Sequence, residues 1–299
     1  MFDSMKELIE YAEQNDTTFS EIMIAHEMET RGMTREEVYG LMQQNLDTMR
    51  DAVEKGSTGE GVKSVTGYTG QDAIKVRKYN ETHKALSGSD MISAVQGAIA
   101  TNEVNAAMGI ICATPTAGSS GTIPGVLFKL EKTHDLDNDQ MIKFLFSASM
   151  CGMIIANNAS VAGAIGGCQA EVGTASAIAA AAAVETFGGT PEQAGHAIAI
   201  SLANLLGLVC DPVAGLVEIP CVMRNAIGSG NGLISADLAL AGVESRIPVD
   251  EVIMAMDTVG RNLPASLRET GIGGLAGTPT GQAIKEKIFG TSNKDEVFS

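Results

Sequence analysis

Three of the five cysteines in this chain of 299 residues stand in unusual surroundings: Cys168 in GAIGGCQAEVG, Cys210 in GLVCDPVAG and Cys221 in VEIPCVMRN. Glycine and proline beside a thiol make turns that aim the sulfur and leave backbone N–H groups free to donate to it. The intervals of 42 and 11 residues match neither the paired CxxC of a zinc ribbon nor the close-set ferredoxin run. From spacing alone two readings stand: ligands of a metal or cluster, and buried thiols acting as small hydrophobes.

Other groups are candidates for binding. The loop ATPTAGSSGTIPG (113–125) offers hydroxyls and backbone N–H groups in a turn, suited to a carboxylate or phosphate. IGSGNGLISADLALAG (227–242) reads as a second glycine-rich loop; it lacks the full dinucleotide fingerprint, no strand precedes it, and tight packing explains its glycines. Asn157 and Asn158 are amides in an apolar setting, where structural pairing and substrate contact are both open. The histidines, His26, His83, His134 and His196, have no metal-type partner at three or four residues and read as helix-face or loop residues. Gly118-Ser119-Ser120-Gly121 has the wrong spacing for a nucleophile elbow. There is no P-loop. Pyridoxal phosphate needs a Schiff-base lysine, and the apolar interior has none, so PLP is excluded.

These groups need elements to hold them. From Phe144 to Met223 no Lys or Arg occurs, while residues 1–60 carry fourteen Asp and Glu against five Lys and Arg. The first stretch reads as an interior, the second as a solvated periphery. Thr34 with Glu37 forms a capping box ahead of an apolar run ending at Gly56, and Thr190-Pro191-Glu192-Gln193 opens a helix to about Leu206. Helices are also expected over 3–14, 19–31, 89–107, 138–156, 248–262 and 281–289. Residues 56–88 read as a looser linker. Sustained period-two alternation is absent. The expected fold is all-α, a multi-helix domain around a cysteine-ligated site. A single domain over 1–299 is expected, with 1–60 as peripheral acidic helices and 89–290 as the helical core holding the cluster.

The composition narrows the partners. A net charge of −16 repels phosphate backbones and anionic lipid, so no nucleic acid and no membrane partner is expected. The alanine-rich stretch at 174–187 is too short for a span, since Glu171 and Glu185 bracket only thirteen residues. The acidic, amphipathic N-terminus has no signal-peptide pattern, and the expected compartment is cytoplasmic.

Four strings carry a family resemblance: TNEVNAAMGIICATPTAGSSGTIPG, ANNASVAGAIGGCQAEVG, GLVCDPVAGLVEIPC and RETGIGGLAGTPTG. Over nearly its whole length the chain resembles the α subunit of the iron–sulfur-dependent L-serine dehydratases. The resemblance implies an all-helical catalytic domain holding a [4Fe–4S] cluster on Cys168, Cys210 and Cys221, with Cys112 and Cys151 as core thiols. Single-chain members carry a preceding β domain and a C-terminal tail with a further cysteine. Neither feature is expected here, which implies the two-chain form with a separate beta chain.

The implied reaction is PLP-independent: L-serine loses water to give 2-aminoacrylate, which goes on to pyruvate and ammonia. Three thiolates on four irons leave one iron open as a Lewis acid. Substrate contacts are expected from Thr116, Ser119, Ser120, Gly121 and Thr122, with Asn157 and Asn158 behind them. No residue stands out as the general base, and a beta-chain group is expected to supply it. A non-catalytic redox-sensing subunit, and a related lyase acting on cysteine or threonine, are the alternatives.

Overall fold

A computed structural model describes residues 2–290. The ends of the expected 1–299 domain, residue 1 and residues 291–299, lie outside the described residues. Among these residues the fold is helical: α1 (Met5–Gln14), α2 (Phe19–Arg31), α3 (Arg35–Ser57), α4 (Asp72–Thr82), α5 (Ser89–Ala106), α6 (Thr122–His134), α7 (Asn138–Asn158), α8 (Gly163–Gly166), α9 (Thr174–Thr186), α10 (Pro191–Leu205), α11 (Cys221–Leu240), α12 (Val249–Asn262) and α13 (Pro279–Phe289). β-pairing among them is confined to two isolated bridges, Lys63 with Gly70 and Cys210 with Arg268.

The alanine-rich helix α9 is the centre. Its residues from Thr174 to Val184 are all buried, as a helix apolar on every side must be. Small side chains let α7, α10 and α11 close in around it. Ser176 of α9 accepts from Ser201 Oγ of α10 at 2.9 Å and from Asn231 Nδ2 of α11 at 2.9 Å, a buried polar node that sets the register of three helices. α7 is long and apolar enough to cross a membrane, but 61% of its apolar window is buried inside the protein, against α2 and α9.

The outer helices are fastened by carboxylates borrowed from elsewhere. Asp250, at the start of α12, accepts from the N–H groups of Met5 and Lys6 at 2.8 and 3.0 Å. Glu185 of α9 accepts from Phe19 and Ser20 at 2.7 and 3.1 Å. Glu103 of α5 accepts from Asp72 N at 2.7 Å. Each carboxyl lies at the positive end of a helix and satisfies donors that the helix cannot.

Two expectations are corrected. The 227–242 stretch is no loop but the interior and C-terminal end of α11. Its glycines permit close packing: a Cβ on Gly228 would lie 2.7 Å from Val172 and 2.8 Å from Thr122, and one on Gly232 would lie 3.1 Å from Ser176 O. The 56–88 stretch contains α4, and its remainder is tied down by Glu218, which accepts from Ser64 and Thr66 hydroxyls at 2.8 and 2.7 Å.

Candidate active site

Helix ends and turns meet at one small cavity of about 240 Å³, lined by Thr116, Ala117, Gly118, Glu171, Cys210, Pro212, Val217, Cys221 and Glu269. Cys221 begins α11. Cys168 precedes a single π-type turn, Gln169–Gly173, that runs into α9, and π turns cluster at functional sites. It packs with Cys210 and Val172 in one buried apolar cluster. Cys210 lies in an extended connection held by its own N–H on Leu267 O (2.9 Å) and by Glu269 N on its carbonyl (2.7 Å). The structure thus brings together three thiols that lie far apart in the chain.

All three thiols are buried. Burial pushes Cys168 and Cys221 up to about 12 and Cys210 higher still, and negative charge on the neighbouring thiols and Glu171 adds to the rise at Cys210 and Cys221. Arg224, one turn along α11 from Cys221, opposes this at Cys168 and Cys221. Its guanidinium donates to Val209 O at 2.6 Å and pairs with Asp211 at 2.6 Å. Burial works against its charge, and Cys168 and Asp211 more than restore it.

The hydroxyl loop is built around Asn225, fully buried on α11. Its Oδ1 accepts from Gly121 N at 3.0 Å and Thr122 Oγ1 at 3.2 Å, while its Nδ2 donates to Gly118 O at 2.7 Å and Cys221 O at 3.0 Å. One amide therefore fixes the loop against the cysteine helix. Of the residues expected to touch substrate, Thr116 lines the cavity. Ser119, Ser120, Gly121 and Thr122 are buried beneath it; Ser119 donates to Thr114 O at 2.9 Å and Ser120 is 3.4 Å from Asn102 Nδ2. Asn157 and Asn158 do not line the cavity. They are exposed at the end of α7, where Asn158 donates to Asp3 O and Ile154 O, both at 2.9 Å. The amide that does stand behind the loop is Asn225.

Two carboxylates line the cavity that the sequence reading did not single out as site residues. Glu171 accepts from Thr116 Oγ1 at 2.9 Å, and burial raises its carboxyl above the usual range, against the bonds from Thr116 and the Gly163 N–H. A Cβ on Gly163 would lie 2.8 Å from Glu171 Oε2 and 3.1 Å from Cys210 Sγ, so only glycine lets the carboxylate and thiol share this corner. Glu269 stands at the exposed rim with φ 62°. A signal for Glu171 was present: it is an acid three residues from Cys168, in a stretch without cations. No histidine or lysine lines the cavity. Cys151 is fully buried in α7, as expected of a core thiol, whereas Cys112 is half-buried in a separate cavity beside Asn45.

Among the described residues no three His, Cys, Asp or Glu side chains converge as ligands of a single metal ion. The fold and cavity define an all-helical protein with three buried thiols and two carboxylates beside a hydroxyl-bearing loop. The chain belongs to the serine dehydratase alpha chain family, whose model matches residues 14–276. It is 57% identical over 290 residues to the probable L-serine dehydratase, alpha chain, of Bacillus subtilis, covering 97% of this chain and 96% of that one. It is 43% identical over 292 residues to the L-serine dehydratase, alpha chain, of Peptoniphilus asaccharolyticus, covering 97% and 99%. L-serine dehydratase 1 of Escherichia coli is 35% identical over 280 residues, covering 92% of this chain and 61% of that protein.

Proposed function

We propose that this chain is the catalytic subunit of a PLP-independent L-serine ammonia-lyase, holding a [4Fe–4S] cluster on Cys168, Cys210 and Cys221 and working with a separate beta chain. The observation that carries the reading is that Cys210 and Cys221 line one cavity with Thr116 and Glu171, and that Cys168 packs with Cys210 in the buried cluster beside it. The alpha-chain names of the similar proteins support the substrate and the partner.

The donor set fits the cofactor. Thiolates on a cubane bind different irons, so they need not converge on one ion. Gly163 lets Glu171 and Cys210 share one corner of the site, and Arg224 provides the positive charge that thiolates need. When bound, the cluster supplies an iron without a protein thiolate, a Lewis acid toward the substrate's oxygens.

The chain's own groups do the rest. The part of the loop that lines the cavity, Thr116, Ala117 and Gly118, receives the substrate carboxylate, held in place by Asn225. Thr116 donates to Glu171 and aims its carboxylate. Glu171 takes the α-proton: its burial raises its basicity, and it is the cavity's buried carboxylate. The step converts L-serine into 2-aminoacrylate and water; addition of water and loss of ammonia then yield pyruvate.

The test is pyruvate formation from L-serine by the anaerobically reconstituted alpha and beta chains. Turnover by wild type and none by Cys210→Ser, with helical content retained, is expected. Full turnover in Cys210→Ser would overturn the ligand assignment.

A further inference from the structure

Among the described residues that line the active-site cavity, two are charged, Glu171 and Glu269. Glu171 is the proposed base; Glu269 has no part in the proton transfer. It sits in the connection 267–275, which is tied to the Cys210 loop at several points. Leu267 O accepts from Cys210 N at 2.9 Å, Glu269 N donates to Cys210 O at 2.7 Å, and Leu275 N donates to Asp211 Oδ2 at 2.7 Å. These bonds hold Glu269 at φ 62°, in the left-handed region where glycine fits without strain. A side chain kept there against the backbone's preference points to a use for that side chain.

The electrostatics of the cavity favour a cationic group on the ligand. No lysine, arginine or histidine is among the lining residues, and a cleft lined by charge of one sign draws ligands of the other. The charge of Glu269 reaches inward, where it helps to push up Glu171, Cys210 and Cys221. Among the described residues its own carboxylate makes no hydrogen bond or ion pair. It is therefore free to receive a donor.

The shape of the substrate says which donor. Four groups surround the α-carbon of L-serine. In the proposed reaction Thr116, Ala117 and Gly118 receive the carboxylate, Glu171 takes the α-proton, and the hydroxymethyl group turns toward Cys210 and Cys221. The lining that remains is Pro212, Val217 and Glu269. An ammonium has three N–H donors to satisfy, and the side chains of Pro212 and Val217 offer no acceptor. We propose that Glu269 receives the substrate's ammonium and so restricts the cavity to α-amino acids, against 2-hydroxy acids of the same shape. This assignment rests on the serine dehydratase reading and adds to it the group that selects the substrate class.

L-Alanine and L-lactate differ only in carrying an ammonium or a hydroxyl, and neither has a β-hydroxyl to lose. Calorimetry with the two, on the anaerobically reconstituted alpha and beta chains, therefore reads binding without turnover. Wild type should bind alanine about tenfold or more tightly than lactate, as for a charged hydrogen bond. In Glu269→Gln, at an exposed position with the fold intact by circular dichroism, that preference should collapse while lactate binding stays. KM for L-serine should rise about tenfold in the same variant, with kcat changed only a few-fold, and Glu269→Asp should keep most of the preference. No preference for alanine in wild type, a preference that survives in Glu269→Gln, equal weakening of both ligands, or an unchanged KM overturns the assignment. Wild type that forms pyruvate from L-serine while Glu269→Gln behaves identically overturns this assignment alone; wild type that forms none overturns the serine dehydratase reading with it.

Discussion

Glu171 and Arg224 act on the same thiols in opposite senses. The carboxylate raises the charge cost at Cys210 and Cys221, and the guanidinium lowers it at Cys168 and Cys221. Glu171→Gln keeps the shape and the bond from Thr116 but cannot take a proton. A fall in kcat of about 10²-fold or more is expected, with KM for serine and cluster absorbance nearly unchanged; wild-type kcat would remove Glu171 as the base. The cysteines were legible from their contexts only as a choice between ligands and packing, and the family resemblance decided the expectation. Arg224 was missed, although it is the first cation after the 144–223 stretch and lies three residues beyond Cys221. Asn157 and Asn158 misled because an apolar sequence neighbourhood does not mean a buried side chain: both lie on the exposed end of α7.

Helices whose starts are encoded locally were read closely: Thr34 with Glu37 and Thr190 with Gln193 both form capping boxes. α4 and α6 escaped because their N-termini are satisfied from a distance. Gln71 makes no side-chain cap, and Glu103, thirty-one residues away from Asp72, serves instead. α6 begins at Thr122 under Asn225 of α11, more than a hundred residues on. The glycines of α11 suggested a loop because helix propensity disfavours them; close packing on Thr122, Val172 and Ser176 overrides that preference. Asn225→Ala leaves buried donors and acceptors of the loop unpaired, at about 1–3 kcal/mol each. Equilibrium denaturation should show a loss of at least about 2 kcal/mol, and serine turnover should fall further than stability explains. A stable, fully active variant would remove Asn225 as the support of the loop.

The whole molecule is an alanine-rich core with an acidic periphery pinned to it by carboxylates, and that plan couples stability to pH. Burial holds Glu103 up at about 7 against an ordinary 4.5, partly offset by the N–H groups of Asp72 and Ala73; Asp72 and Lys75 are the charges facing it. A carboxyl raised by folding contributes stability that is fully present below 4.5 and lost as pH rises through about 7. Glu103→Gln has no such loss, so its Tm relative to wild type should climb across that window. A constant difference at every pH would show that Glu103 does not titrate there. The all-helical class was legible from the helix caps and the period of the apolar residues. The cavity was not, because it is made by chain connections around Gly163, Cys210 and Glu269 that carry no periodic signal.

Iron and acid-labile sulfide per chain after anaerobic reconstitution, measured side by side in wild type and Cys210→Ser, test the thiol assignment most directly. About four of each in wild type, as a cubane requires, and loss of both in the variant are expected. Neither iron nor sulfide in wild type, with the beta chain present, or full loading of the variant, would contradict it.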